Sequence, residues 1–140
     1  FIKYAVVRDD PNIDPLLTGL VDLVSTDRIV SGIGEQPTVA HLKKFNLNGF
    51  TSGCVCVRPD KSMQVLHALK AGDLETANTL IGEFFPLEDL RNTHGPIPVL
   101  HHAVAGAGIA DTGPLYPLLS ELPAATTAPV TTTATELLES

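Results

Sequence analysis

Phe1-Ile2-Lys3-Tyr4-Ala5-Val6-Val7, followed at once by Arg8-Asp9-Asp10-Pro11, is an apolar run of strand length closed by a turn signal. It has no cap or turn ahead of it, so the chain reads as opening inside a larger fold, as a fragment or a truncated chain. From Asp14 to Val24 the apolar positions Leu16, Leu17, Leu20, Val21 and Val24 recur at intervals of three and four, with Pro15 suited to a first helical turn. That spacing predicts an amphipathic helix. Arg28-Ile29-Val30-Ser31-Gly32 is a second strand, and Gln36 to Phe45 a helix with Val39, Leu42 and Phe45 on one side. Asn46-Leu47-Asn48-Gly49 breaks that helix, and Phe50 to Val57 reads as a third strand, stopped by Arg58-Pro59.

Helix then replaces strand. Lys61 to Ala71 and Leu74 to Leu90 are separated by Gly72-Asp73, where Asp73 is a natural N-cap, and a further helix runs from Ile97 to Ala107. Beyond Pro123 the composition turns to Ala and Thr, which predicts a disordered tail over 123–140 after one domain over 1–122. Apolar strands alternating with helices argue for an α/β fold with a parallel sheet, either doubly wound or a (β/α)8 barrel. A net charge of −7 with nine scattered Lys and Arg leaves no basic surface for a phosphate backbone, so no nucleic-acid partner is expected. No window approaches 18 consecutive apolar residues, and no secretory signal is present, which points to a cytoplasmic protein with no membrane partner. Cys54 and Cys56 stand too close on an extended strand to bridge without strain, and reduced thiols are expected.

Several short stretches in order carry a resemblance. A lysine closes one strand (Lys3), Ser31-Gly32 ends the next, and Gly49-Phe50-Thr51-Ser52-Gly53 follows. Then come Ala71-Gly72-Asp73-Leu74-Glu75 with Ala77, and Pro96-Ile97-Pro98-Val99 before Gly108. Over about Phe1 to Leu122 this order resembles the dihydrodipicolinate synthase and N-acetylneuraminate lyase family of class I, Schiff-base aldolases and dehydratases. The local Lys3-Tyr4-Ala5-Val6-Val7-Arg8 differs from the family's commoner forms. The resemblance implies the C-terminal part of a (β/α)8 TIM barrel, about three parallel strands with helices, plus C-terminal helices. It places Phe1–Val7, Arg28–Gly32 and Gly49–Val57 on strands six, seven and eight, with strands one to five absent. Such a barrel takes about 250 residues. A three-strand remnant would expose edge groups, so an isolated piece is expected to be poorly stable unless another chain supplies the rest.

The resemblance implies chemistry as well. Lys3 would be the catalytic nucleophile, forming an imine with pyruvate or a 2-oxo sugar acid, with no cofactor; an amine attacks a carbonyl only when unprotonated, and an apolar setting favours that form. The iminium withdraws electrons from the adjacent carbon and permits carbon–carbon bond formation or cleavage, or loss of water. Gly32 and Thr51 would line the substrate pocket. Gly32 permits close approach of backbone, and Ser31 and Glu35 are further candidates to reach a polar substrate from the loop after the second strand. The family's carboxylate-binding loop and its proton-relaying tyrosine have no counterpart here, Tyr4 and Tyr116 being at the wrong places. The 140 residues by themselves are therefore expected to be non-catalytic, and a longer chain containing them to be a lyase; homo-oligomers are common in the family.

Two other constellations are weaker. Cys54 and Cys56 with His94, His101 and His102 match no standard zinc spacing, and adjacent helical residues such as His101 and His102 diverge by about 100°. No metal is expected. Gly32-Ile33-Gly34 lacks both the third glycine of a dinucleotide fingerprint and a following Gly-Lys-Ser/Thr, which argues against a nucleotide site.

Overall fold

Strand β1 spans Ile2–Tyr4 and pairs in parallel with β2, Ile29–Ser31, in the register Ile2 to Ile29, Lys3 to Val30 and Tyr4 to Ser31, in a computed structural model that describes residues 1–117 and 119–140. The connection is helix α1, Pro15–Leu23, followed by a single 3-10 turn at Thr26–Arg28. Helix α1 starts where it does for two reasons. Pro15 pre-sets the backbone angle of the first turn, and the Asp14 side chain accepts from the backbone N–H of Leu17 at 2.9 Å. Leu17 is the residue this helix buries completely.

The third expected strand is not formed. Phe50 makes an isolated parallel bridge to Ser31, with Ser31 N–H donating to Gly49 O at 3.0 Å and Thr51 N–H to Ser31 O at 2.8 Å. The chain then coils into a 3-10 turn at Cys54–Cys56. Glycines at 49 and 53 favour strand geometry poorly. At Gly53 a Cβ would run into the Leu100 side chain, so the backbone comes close to a neighbour there instead of continuing a ladder. Cys54 is buried and Cys56 exposed, as a turn rather than a strand face disposes them. The helix expected over Gln36 to Phe45 is also altered: Ala40–Lys44 is π-helical, with Phe45 N–H reaching Ala40 O at 3.1 Å.

The remaining helices lie close to their expected bounds: α2 at Pro59–Ala71, α3 at Leu74–His94 and α4 at Pro96–Gly106. Asp73 caps α3 by accepting from Thr76 N–H at 3.0 Å. The 123–140 stretch, where composition predicts disorder, is instead helix α5, Ala124–Glu139. Its Thr hydroxyls turn back onto their own helix, Thr133 to Pro129 O at 3.0 Å and Thr135 to Thr131 O at 2.9 Å, and it buries Thr126, Val130, Ala134 and Leu137.

Two compact units make up the described chain, one of Phe1–Ser52 with Asp60–Gly82, the other of Gly53–Pro59 with Glu83–Ser140. In the first, Leu17, Ile29, Val65 and Leu69 are fully buried, each such side chain contributing at most about 1.5–3 kcal/mol relative to exposure. In the second, Phe84, Val99, Ala103, Val130 and Ala134 are fully buried. There α4 and α5 cross closely at Gly106, where a Cβ would stand 2.7 Å from Thr131 Oγ1 and 3.2 Å from its Cα. His102 Nε2 and Thr131 Oγ1 are 3.1 Å apart beside the crossing, and Arg58 Nη1 donates to Leu138 O at 2.6 Å at the end of α5.

Candidate functional site

Alternation along a strand decides which side chains share a face. Tyr4 and Ser31, opposite one another in the register, are both buried. Their neighbours Lys3 and Val30 therefore point the other way, and Gly32, two beyond Val30, joins them. A Cβ built on Gly32 would lie 2.7 Å from Lys3 Cγ and 3.0 Å from Ala5 Cβ, which confirms the shared face by contact. The bridge between Ser31 and Phe50 puts Thr51 level with Gly32, and the same alternation turns Thr51 toward that side. Lys3, Gly32 and Thr51 thus come together, although nothing in their sequence separation requires it.

Gly32 has a structural reason to be glycine. Its N–H donates to Tyr4 O at 2.7 Å, and a Cβ would sit 2.9 Å from that same oxygen. Thr51 is tied on both sides, its N–H to Ser31 O at 2.8 Å and its carbonyl to Gly34 N–H at 3.1 Å. Lys3 and Thr51 are exposed and Gly32 half-buried. The described residues do not build the apolar enclosure expected around the lysine.

The opposite face carries a buried polar network that spacing does not reveal. Tyr4 hydroxyl donates to Asp14 Oδ2 at 2.6 Å, and Arg8 pairs with the same carboxylate, Nε at 3.1 Å from Oδ2 and Nη2 at 3.2 Å from Oδ1. Burial pushes the Asp14 carboxyl up, but Arg8, Tyr4 and the Leu17 N–H together more than offset that and hold it down from 3.8 to about 2. The Tyr4 hydroxyl is raised, by burial and by its bond to Asp14. Beside it, His41 lies on the π-helical turn, fully buried, with Nδ1 2.8 Å from Ser31 Oγ and no hydrogen-bond partner at Nε2. Its ring meets Tyr4 edge-on at 5.9 Å, and burial lowers its pKa below 6.5, with Asp14 acting in the opposite sense.

Two sequence candidates belong to this rear side rather than to the Lys3 face. Ser31 is buried against His41. Glu35 is fully buried and accepts hydroxyl donors from Ser52 and Ser62, each at 2.6 Å, so neither side chain reaches toward a substrate from the loop. A cleft of about 360 Å³ in the same unit, bordered by Thr26, Asp27, Lys43, Asn46, Asn48 and Lys70, lies at the opposite, N-terminal ends of the strands. His101 Nε2 is 3.1 Å from Thr112 O while His102 contacts Thr131, and among the described residues no three His, Cys, Asp or Glu side chains gather where they could hold a metal ion. No described helix is long and apolar enough to cross a membrane.

No protein-family model matches the chain, and no curated protein matches it by sequence. Solved structures do. Dihydrodipicolinate synthase from Bacillus clausii aligns with a TM-score of 0.74 and 24% identity over 98% of this chain and 45% of that one. The dihydrodipicolinate synthase from Agrobacterium tumefaciens str. C58 aligns at 0.75 and 25% identity over 98% and 45%, and that from Oceanobacillus iheyensis at 0.71 and 24% over 99% and 44%. The coverage agrees with a likeness to one portion of those enzymes, as the C-terminal resemblance implies. Along nearly all of its length the chain is similar in fold to dihydrodipicolinate synthases, and it spans about 45% of theirs.

Proposed function

We propose that this chain carries the imine-forming face of a Schiff-base lyase, an aldolase or dehydratase acting on pyruvate or a 2-oxo sugar acid, set in part of a (β/α)8 barrel. Lys3 is the nucleophile: its amine adds to the 2-oxo carbon, water leaves, and the iminium accepts the electron pair released at the adjacent carbon. Gly32, lacking a Cβ, lets the lysine stem lie directly against the backbone, and Thr51 borders the same face.

The observation that carries this reading is the packing of Gly32 against Lys3, where a Cβ would approach Lys3 Cγ to 2.7 Å, on a face shared with Thr51. The likeness to dihydrodipicolinate synthases supports it. The exposure of Lys3 and the 45% coverage favour a second reading, in which these residues alone are a non-catalytic part of such an enzyme and the remaining strands complete the enclosure.

Incubation with pyruvate and borohydride, followed by intact mass and peptide mapping, tests the proposal, since reduction converts an imine into a stable secondary amine. A reduced pyruvyl adduct on Lys3, absent in Lys3→Arg, is the expected result for a catalytic face. A folded sample without adduct removes the lyase activity from these residues and leaves the second reading.

A further inference from the structure

Behind the Lys3 face, three separate segments meet on one carboxylate. Glu35 lies three residues beyond Gly32, Ser52 directly follows Thr51, and Ser62 is in the first turn of α2. Both serine hydroxyls donate to Glu35 at 2.6 Å, Ser52 to Oε2 and Ser62 to Oε1. The Gly34 N–H bond to Thr51 O, 3.1 Å, runs alongside. A carboxylate offers two acceptor oxygens in a fixed plane, so one side chain sets the separation of its two donors. Burying it costs desolvation that an apolar side chain of similar volume would avoid. Net stability is therefore a poor reason for its presence, and register is a better one.

We propose that Glu35 is a positioning residue: held by Ser52 and Ser62, it fixes where Gly32 and Thr51 stand relative to Lys3 and so sets the approach of the 2-oxo acid, without touching it. This rests on the lyase reading for its consequence in catalysis, though not for its geometry. Glu35 acts through the two short chain segments on either side of the Gly34 to Thr51 bond. In this arrangement Lys3, Gly32 and Thr51 face the substrate and Glu35 does not.

The test replaces the three side chains of this tie by apolar groups, Glu35→Met with Ser52→Ala and Ser62→Ala. The variant is expected to show displaced amide resonances at Gly32, Gly34 and Thr51, faster hydrogen exchange at Gly34, and a weakened proton contact between Gly32 and the Lys3 side chain. In borohydride trapping, the pyruvate concentration giving half-maximal labelling rises by roughly ten- to a hundredfold, the scale of a misplacement near 1 Å. A purely structural role moves the melting temperature and leaves these local readouts alone, and that result overturns the proposal. Should the triple variant not fold, Ser62→Ala, which lies away from the Lys3 face and leaves the Ser52 tie, gives a graded answer by the same resonances. If the wild type is not labelled at all, the lyase reading fails, while the resonances still decide the role of Glu35.

Discussion

Replacing Asp14 by Asn isolates a charge from a cap. Asn is as good an N-cap as Asp, so the bond from Leu17 N–H survives, whereas the pairing with Arg8 and the charge-assisted bond from Tyr4 do not. The carboxyl is held at about 2 in the fold against 3.8 as its ordinary value, a difference of about 1.8 pH units, and each unit is worth about 1.4 kcal/mol. The carboxylate therefore contributes about 2 kcal/mol, a figure that applies because its side chain is fully buried. Since the folded value is depressed, that contribution is complete above pH 3.8 and disappears as the pH falls through 2. Urea denaturation followed by circular dichroism from pH 7 to pH 2 reads it directly. Asp10 and Asp73 are also held below their ordinary value and titrate in both proteins, so the quantity to compare is the difference between wild type and variant. That difference should be about 2 kcal/mol at pH 7 and close to zero at pH 2. A constant difference across the range would refute the assignment of the stability to the Asp14 charge.

For His41 the sign is the same, although the form that burial favours is neutral rather than charged. Its folded pKa lies below 6.5, so the neutral ring is favoured, and stability is expected to decline as the pH falls below 6.5 toward the folded value; His41→Phe should remove that component of a pH–denaturation profile. Tyr4, Asp14, Ser31 and Phe45 surround the ring, and only Asp14 opposes the trend. Gly32→Ala places a methyl 2.9 Å from Tyr4 O and 2.7 Å from Lys3 Cγ, which should cost about 1–3 kcal/mol in denaturation and reduce any pyruvate labelling of Lys3 beyond the loss of folded protein.

Elements whose signal is local were legible in the sequence. The three- and four-residue spacing from Leu16 to Val24 gave α1, the Gly72-Asp73 break separated α2 from α3, and the short apolar runs around Lys3 and Val30 became a parallel pair. The third strand failed because its apolar run hides two glycines and a turn, and α5 was missed because Ala and Thr repeats resemble low complexity when the partner helix is unknown. Grouping Lys3, Gly32 and Thr51 drew on a family resemblance. Strand register alone accounts for their sharing a face. The bonds from Tyr4 to Asp14, from His41 to Ser31 and from Glu35 to two serines cross 10 to 27 residues and have no periodicity. Ser31 and Glu35 drew notice only as polar residues able to reach a substrate from the strand-end loop, and the structure buries both instead.

Helix α5 is built from residues that seldom hold a helix by themselves. β-branched threonines and an internal Pro129 disfavour it, and its order comes from the small-residue crossing at Gly106 and from Arg58 binding its last carbonyls. As a free peptide the same sixteen residues would be largely coil. Their amide protection is consequently borrowed from α4, which makes this segment a natural gauge: its hydrogen exchange registers loosening of the neighbouring helix.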